Sequence, residues 1–307
     1  MGKCLQNFLV AKWIEHDVLV ASRAPSGVAV GRHVVWDVTQ RAPALDACDV
    51  IVHAATPASA ELNSKRPAEM FWVNVRAMEN VIGLAERFPL PPRIVFTSSG
   101  GVYGEMPKGL ERFPEEHRGA VSPLDPRSAY AEGKRAAEFL LAEATQRGVC
   151  VGVVARLFAF SGVHLPLDRH FALGNFVRDA VEHRLIAVTG DGTAVRSYLD
   201  GMDMAQWIMR AAEAGEPGFP HHVGSEDAIS IRGLAHLVAD RAAQVLGLEV
   251  DVRVLGTSRS TDGVSRYVPE TSLTRQILGV AQTVSIEDSV DQMLIRAASQ
   301  VPRKEGR

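Results

Sequence analysis

The amino-acid sequence predicts an α/β fold: a doubly wound parallel sheet with a smaller C-terminal α/β lobe. Three observations lead there. Short apolar runs at residues 18–21 (VLVA), 34–36 (VVW), 49–53 (DVIVH) and 93–96 (RIVF) alternate with helix-periodic segments. Such alternation reads as parallel strands joined by helical crossovers and covered on both faces. The pattern then changes, because between residues 156 and 200 loop signals such as Ser161-Gly162, Leu165-Pro166 and Gly190-Asp191-Gly192 surround a single helix. No internal repeat or low-complexity linker separates the two halves of the 307-residue chain. Residues 1–155 and 156–300 are therefore expected to be a first domain and a continuous second lobe, with 301–307 a disordered tail.

Taken in order, residues 3–15 read as a helix with Leu5, Phe8, Leu9 and Trp13 on one face. Phe71, Val75, Met78 and Ile82 recur at helical spacing and predict a long helix over 67–87. Another helix runs from Pro126 and stops at Gly148, ahead of a strand over 149–155. Beyond it come a helix over 173–184 and one over 203–213, where Asp203 and Gln206 have capping-box spacing. A helix over 231–247, a strand over 250–255 and a last helix over 285–299 complete the pattern.

Composition excludes several function classes. With 46% hydrophobic and 22% charged residues the chain is an ordinary soluble globular protein. A net charge of -3 offers nothing to attract nucleic acid or an anionic membrane. Cys4, Cys48 and Cys150 are scattered and odd in number, which points to a reducing, cytoplasmic setting without disulfides or a metal cluster. His164 and His170 lack a Cys or acidic partner at ligand spacing and are read as non-metal. No apolar run is long enough to span a bilayer. The start, MGKCLQ, has Gln6 where myristoylation needs Ser or Thr, and Lys12, Glu15, His16 and Asp17 break any signal-peptide core.

The chemistry gathers at two stretches. In PRSAYAEGKRAAEFLL, Tyr130 and Lys134 lie four residues apart and so share a helix face. A neighbouring ammonium favours an ionised phenol, which would ready Tyr130 for proton exchange with a hydroxyl or ketone. About thirty residues upstream, FTSSGGVYG follows the strand at 93–96 and puts serines at its carboxyl end, where ligands bind in open α/β sheets.

With these landmarks the chain resembles the extended short-chain dehydrogenase/reductase family, the NAD-dependent epimerase/dehydratases acting on nucleotide sugars. The residues carrying the resemblance are Asp37-Val38, His53-Ala-Ala-Thr56, Asn74-Val75, Ser98-Ser99 with Val102-Tyr-Gly104, Tyr130-Ala-Glu-Gly-Lys134, Arg156 and Gly190-Asp-Gly-Thr-Ala-Val-Arg196. The resemblance implies a Rossmann-type domain, NAD or NADP as cofactor, a nucleotide-diphosphate sugar as partner, and a homodimer as the assembly to look for. It makes Tyr130 the acid/base, Ser99 the hydrogen bonder of the reacting oxygen, and Lys134 the holder of the nicotinamide ribose. Gly2, Arg23, Asp37, Val38, Ala54, Ala55 and Asn74 fall at its cofactor positions, while Arg156, Asn175 and Arg196 fall on the substrate side. Asn175 is expected to head its helix, and Arg196 to clamp the diphosphate.

Departures narrow the expectation. Gly100 and Gly101 stand where family dehydratases carry Asp-Glu, which argues against elimination. Ala21-Ser22-Arg23 offers no acid for the ribose hydroxyls, and Arg23 would suit a 2′-phosphate. Ala159 replaces an Asn that many 4-epimerases use. The family's first strand and Gly-rich turn precede the helix in which this sequence begins, so the start codon is expected upstream or the cofactor affinity poor. The expected function is epimerase-like, reversible hydride transfer at a sugar carbon, commonly C4. The alternatives are an NADPH-dependent reductase of nucleotide keto sugars and a cofactor-impaired binding protein.

Overall fold

The computed structural model describes residues 1–12, 16–24, 31–168, 171–257 and 264–300; Trp13, His170 and 301–307 lie outside the described residues. The first half runs α1 (Gly2–Lys12), β1 (Leu19–Ser22), β2 (Arg32–Val35), β3 (Val50–His53), α2 (Ala60–Lys65), α3 (Pro67–Ala85), β4 (Arg93–Ser99), α4 (Ala129–Gln146) and β5 (Val151–Leu157). The second half runs α5 (Ala172–Val181), β6 (Ile186–Val188), β7 (Val195–Ser197), α6 (Gly201–Ala214), β8 (Pro220–Val223), β9 (Ala228–Ser230), α7 (Ile231–Leu246), β10 (Val252–Val254), β11 (Arg266–Tyr267), α8 (Ser272–Leu278) and α9 (Ile286–Gln300).

The central sheet is parallel, in the order β3-β4-β5-β8, and β1 and β2 form a separate parallel pair. Alternation along β4 sets the two layers. Ile94 and Phe96 pack under Met78, Val81 and Ile82 of α3 and Ala137 and Leu141 of α4. Val95 faces the opposite layer, with Leu5 and Phe8 of α1 and Met204, Trp207 and Ile208 of α6. A side-chain period of two makes that division automatic.

The chain returns to the first layer after leaving it, since α6 covers the sheet and β8 extends it beside β5. Pro220, which cannot donate to a ladder, opens β8 at the sheet's edge. The smaller lobe has its own core of Leu173, Val177, Ile186, Leu234, Val238 and Leu294. Its strands pair as β10-β6 and β11-β7-β9.

One local expectation is corrected. Helix α6 is capped by Asp200, which accepts from Met202 N at 2.8 Å, and not by Asp203. Asp203 is buried and accepts from Thr283 and Val284, so its carboxylate ties α6 to the segment before α9.

Candidate active site

Strand alternation separates the two serines of FTSSGG. Ser98 is buried on the α4 side and donates to Glu138 at 2.5 Å. Ser99 ends β4, accepts from Gly101 N at 3.1 Å, and caps the 3₁₀ turn Gly100–Tyr103. The α4 helix starts beside it. Asp125 caps the 3₁₀ turn Pro126–Ser128, and the Asn63 side chain accepts from Tyr130 N at 2.9 Å and donates to Arg127 O at 2.8 Å. This clasp from α2 fixes the first turn of α4, and with it Tyr130. Gly133 lets α4 approach α3, because a Cβ there would meet Phe71 O at 3.0 Å and Asn74 Cβ at 3.1 Å.

Ser99, Tyr130 and Lys134 are brought together. The Ser99 hydroxyl is near enough to the Tyr130 phenol to favour its ionised form. Lys134 is buried; its Nζ donates to Thr56 Oγ1 and Thr97 O at 2.8 Å each and lies 4.7 Å from the Phe96 ring centroid. The electrostatics differ from the sequence expectation. Burial pushes the Tyr130 phenol up, opposed by Ser99, and Lys134 lies 5.8 Å from the centroid of its ring. Burial brings Lys134 itself down to about 7, with Glu138 working against the fall. Desolvation thus outweighs the expected attraction between ammonium and phenol.

The remaining candidates divide. Ala54 and Ala55 follow β3 and lead to Thr56, beside Lys134. Asn74 is fully buried; it donates to Met70 O at 2.9 Å, and its Oδ1 has no partner. Gly2 opens α1, where a Cβ would meet nothing within 4 Å. Arg23 is exposed and close enough to Asp37 to help hold its carboxyl low, although Thr39, whose N and Oγ1 donate to Asp37 at 2.9 and 2.8 Å, is the main cause. Val38 is buried, with its carbonyl accepting from Asn80.

On the substrate side Arg196 lies in β7, with its guanidinium on Val195 O and on Ser265. Asn175 does not head its helix: α5 begins at Ala172, and Asn175 N is bonded to Phe171 O. The Asn175 backbone donor is thus already engaged within the helix. Arg156 is engaged within the fold, donating to both Glu138 oxygens at 3.0 and 2.6 Å and to Tyr103 Oη at 2.8 Å. Sequence reasoning gave no role to Thr56 and missed both Asn63 and Tyr267. The Gly100-Gly101 pair was the signal for Tyr267, whose hydroxyl lies 2.8 Å from where a Gly100 Cβ would stand. Among the described residues no three His, Cys, Asp or Glu side chains gather as a metal site, and no helix is long and apolar enough to cross a membrane.

Sheet, crossover helices and strand-end hydroxyls together define an extended short-chain dehydrogenase/reductase fold. The chain belongs to the NAD dependent epimerase/dehydratase family, whose model matches residues 1–224. UDP-glucuronic acid decarboxylase 5 of Arabidopsis thaliana is 29% identical over 258 residues, covering 84% of this chain and 72% of the relative. The UDP-glucose 4-epimerase of Thermotoga maritima, solved with UDP-glucose, superposes with a TM-score of 0.77 at 17% identity over 96% of this chain and 94% of its own. The UDP-glucuronic acid 4-epimerase of Bacillus cereus, solved with UDP-glucuronic acid and NAD, gives 0.76 at 17% identity over 97% and 96%.

The family's cofactor class, NAD(P), fits the residues at the reactive end. Lys134 has three N–H donors and two are placed on protein oxygens, leaving one for a ribose hydroxyl. The buried, unpartnered Asn74 Oδ1 lies on α3 against α4, at the Gly133 contact.

Proposed function

We propose that this protein binds a nucleoside-diphosphate sugar together with NAD(P) and reversibly oxidises one sugar hydroxyl, at C4 in the first instance, so that the net reaction is epimerisation. The observation that carries the reading is the gathering of the Ser99 hydroxyl, the Tyr130 phenol and buried Lys134, whose Nζ lies 5.8 Å from the Tyr130 ring centroid. When bound, NAD(P) supplies the acceptor and donor of hydride. Tyr130 takes the hydroxyl proton as the ketone forms and returns it when the ketone is reduced. Ser99 hydrogen-bonds the reacting oxygen, Lys134 holds the ribose, and Ala54 and Ala55 leave room for close approach. Arg196 pairs with the diphosphate from the second lobe. Gly100 and Gly101 supply no carboxylate, which disfavours water elimination.

A second reading has its own support, since the curated relatives at 29% identity are UDP-glucuronic acid decarboxylases. Oxidation at C4 of a glucuronate makes a β-keto acid, which loses CO₂ without any further acid group. The same side chains would serve both outcomes, and the substrate decides between them.

The test is incubation of the purified protein with UDP-glucose and with UDP-glucuronic acid, each with NAD or NADP, read by mass spectrometry and NMR. A new isomer of unchanged mass is the expected result, and loss of CO₂ from the uronic acid selects the second reading. Stoichiometric consumption of NADPH by a keto sugar would identify a reductase. Absence of both turnover and cofactor binding would overturn the enzyme reading. With Arg23 in place of an acid, NADP is expected to bind at least as well as NAD.

A further inference from the structure

Lys134 is held by two oxygens from outside its own helix. Thr97 O belongs to β4 and Thr56 Oγ1 to the segment leaving β3, and each accepts from Nζ at 2.8 Å. The two suppliers are tied together, since Thr97 Oγ1 donates to His53 O at 3.1 Å and His53 is the register partner of Phe96. The chain beyond Thr56 is also constrained. Pro57 confines the residue before it to extended backbone, and Ser59 caps α2 by accepting from Leu62 N at 3.1 Å. Helix α2 then presents Asn63, which accepts from Tyr130 N and donates to Arg127 O. Residues 56–63 thus touch the catalytic helix twice, once at each member of the Tyr130–Lys134 pair.

An ammonium has three protons and accepts nothing. Two of them are spent on Thr97 O and Thr56 Oγ1, so tetrahedral geometry at Nζ sets the direction of the third. The two acceptors differ in kind. Any residue at position 97 would supply a carbonyl, whereas Thr56 Oγ1 exists only because residue 56 bears a hydroxyl. With Thr97 O alone, the end of a flexible four-carbon side chain could pivot about that single bond. Because Thr56 Oγ1 accepts from Lys134, its own proton is left for a different acceptor.

Resting on the ligand-holding role of Lys134 proposed above, we propose that Thr56 is a positioning residue that takes one ammonium proton of Lys134 and so aims the remaining one at the ligand. The same bond favours the charged form of a buried amine, against the burial that brings Lys134 down to about 7. Titratable neighbours come from two elements. On α4, Glu138 favours the ammonium while bonded by Arg156 and Ser98, and Tyr130 lies one turn away. On β3, His53 is buried, which brings it down to about 3 and keeps it neutral. Phe96 and Thr97 of β4 and Asn74 of α3 add no charge.

Thr56→Val keeps the shape of the side chain and removes the acceptor, whereas Thr56→Ser keeps the acceptor and removes the methyl. In Thr56→Val, Lys134 is expected to lose its proton about one pH unit lower, the worth of one charge-assisted hydrogen bond, while Thr56→Ser titrates like wild type. Two readouts keep this inference distinct from the proposed function. The first is carbon-13 NMR of ε-labelled lysine during pH titration of the ligand-free protein. The chain has six lysines, and Lys134→Met identifies the Lys134 signal. The second is calorimetric titration with NADP at about pH 8, where Thr56→Val should bind about tenfold more weakly than wild type and Thr56→Ser should restore the affinity. A shifted titration in a protein that neither binds NAD(P) nor turns over any sugar nucleotide would sustain Thr56 as the partner of Lys134 and count against the function. An unmoved Lys134 in Thr56→Val overturns the inference, as does NADP affinity equal to that of a binding wild type. A Thr56→Ser protein that behaves like Thr56→Val also overturns it, because packing and not the hydroxyl would then hold Lys134.

Discussion

Replacing Arg156 with Met separates an internal brace from a ligand contact. Arg156 and Glu138 have side chains only 14% and 13% exposed, joined by two charge-assisted bonds. Arg156 also donates to Tyr103 Oη, with its guanidinium 4.7 Å from that ring's centroid. Met keeps most of the volume, so the main loss is electrostatic: the Glu138 carboxylate is left buried with only Ser98 donating to it. Removing one partner of such a pair costs about 3–5 kcal/mol. At about 2–4 °C per kcal/mol for a large domain, the apparent melting temperature should fall on the order of 10 °C. The double variant Arg156→Met/Glu138→Leu removes both charges and should recover most of that loss. Urea and thermal denaturation of the ligand-free protein measure the stability, and calorimetric titration with UDP-glucose and UDP-glucuronic acid measures binding. Unchanged melting together with weakened sugar-nucleotide binding would refute the brace and return Arg156 to the substrate side.

Three further outcomes are expected. Tyr130→Phe should lower kcat by about 10²–10⁴ while circular dichroism and sugar-nucleotide binding stay near normal; near-normal turnover would remove Tyr130 from the mechanism. Arg196→Ala should raise KM more than it lowers kcat, since a diphosphate clamp holds ground and transition states alike, and a pure kcat effect would contradict it. Lys134 falls from an ordinary 10.5 to about 7 in the native state, so between those limits the unfolded chain holds the extra proton. Stability of the cofactor-free protein should accordingly rise with pH across that interval, and urea titrations of Lys134→Met should lack this contribution.

Much of the site was legible because its signals are local. Tyr130 and Lys134 are spaced by one helical turn, and the apolar run at 94–96 announces β4. What escaped depends on distant partners. Strand β8 reads Pro-His-His-Val, hardly a hydrophobic strand, yet His221 and His222 are fully buried in the sheet. His221 Nε2 accepts from Glu216 N, and His222 bonds Tyr103, Thr274 and Glu270, so tertiary hydrogen bonds replace hydropathy as the reason for burial. Tyr267 was hidden for a similar reason, being an isolated residue whose meaning lies in the glycine it faces. The direction of the Tyr130 shift was missed because helical spacing shows that Lys134 is near, but not that the pair is buried.

The late arrival of β8 also bears on how the protein is made. The strand joins β5 only after α5, α6 and the strands between them have been synthesised, and His222 is held in turn by Glu270 and Thr274. During translation the first layer must therefore wait with an open edge while more than a hundred further residues emerge, on the order of ten seconds at about 5–20 residues per second. A nascent chain stalled before Tyr267 would carry Ser99, Tyr130 and Lys134 but neither Tyr267 nor the anchor of β8. Its exposed strand edge would make it a natural client for chaperones.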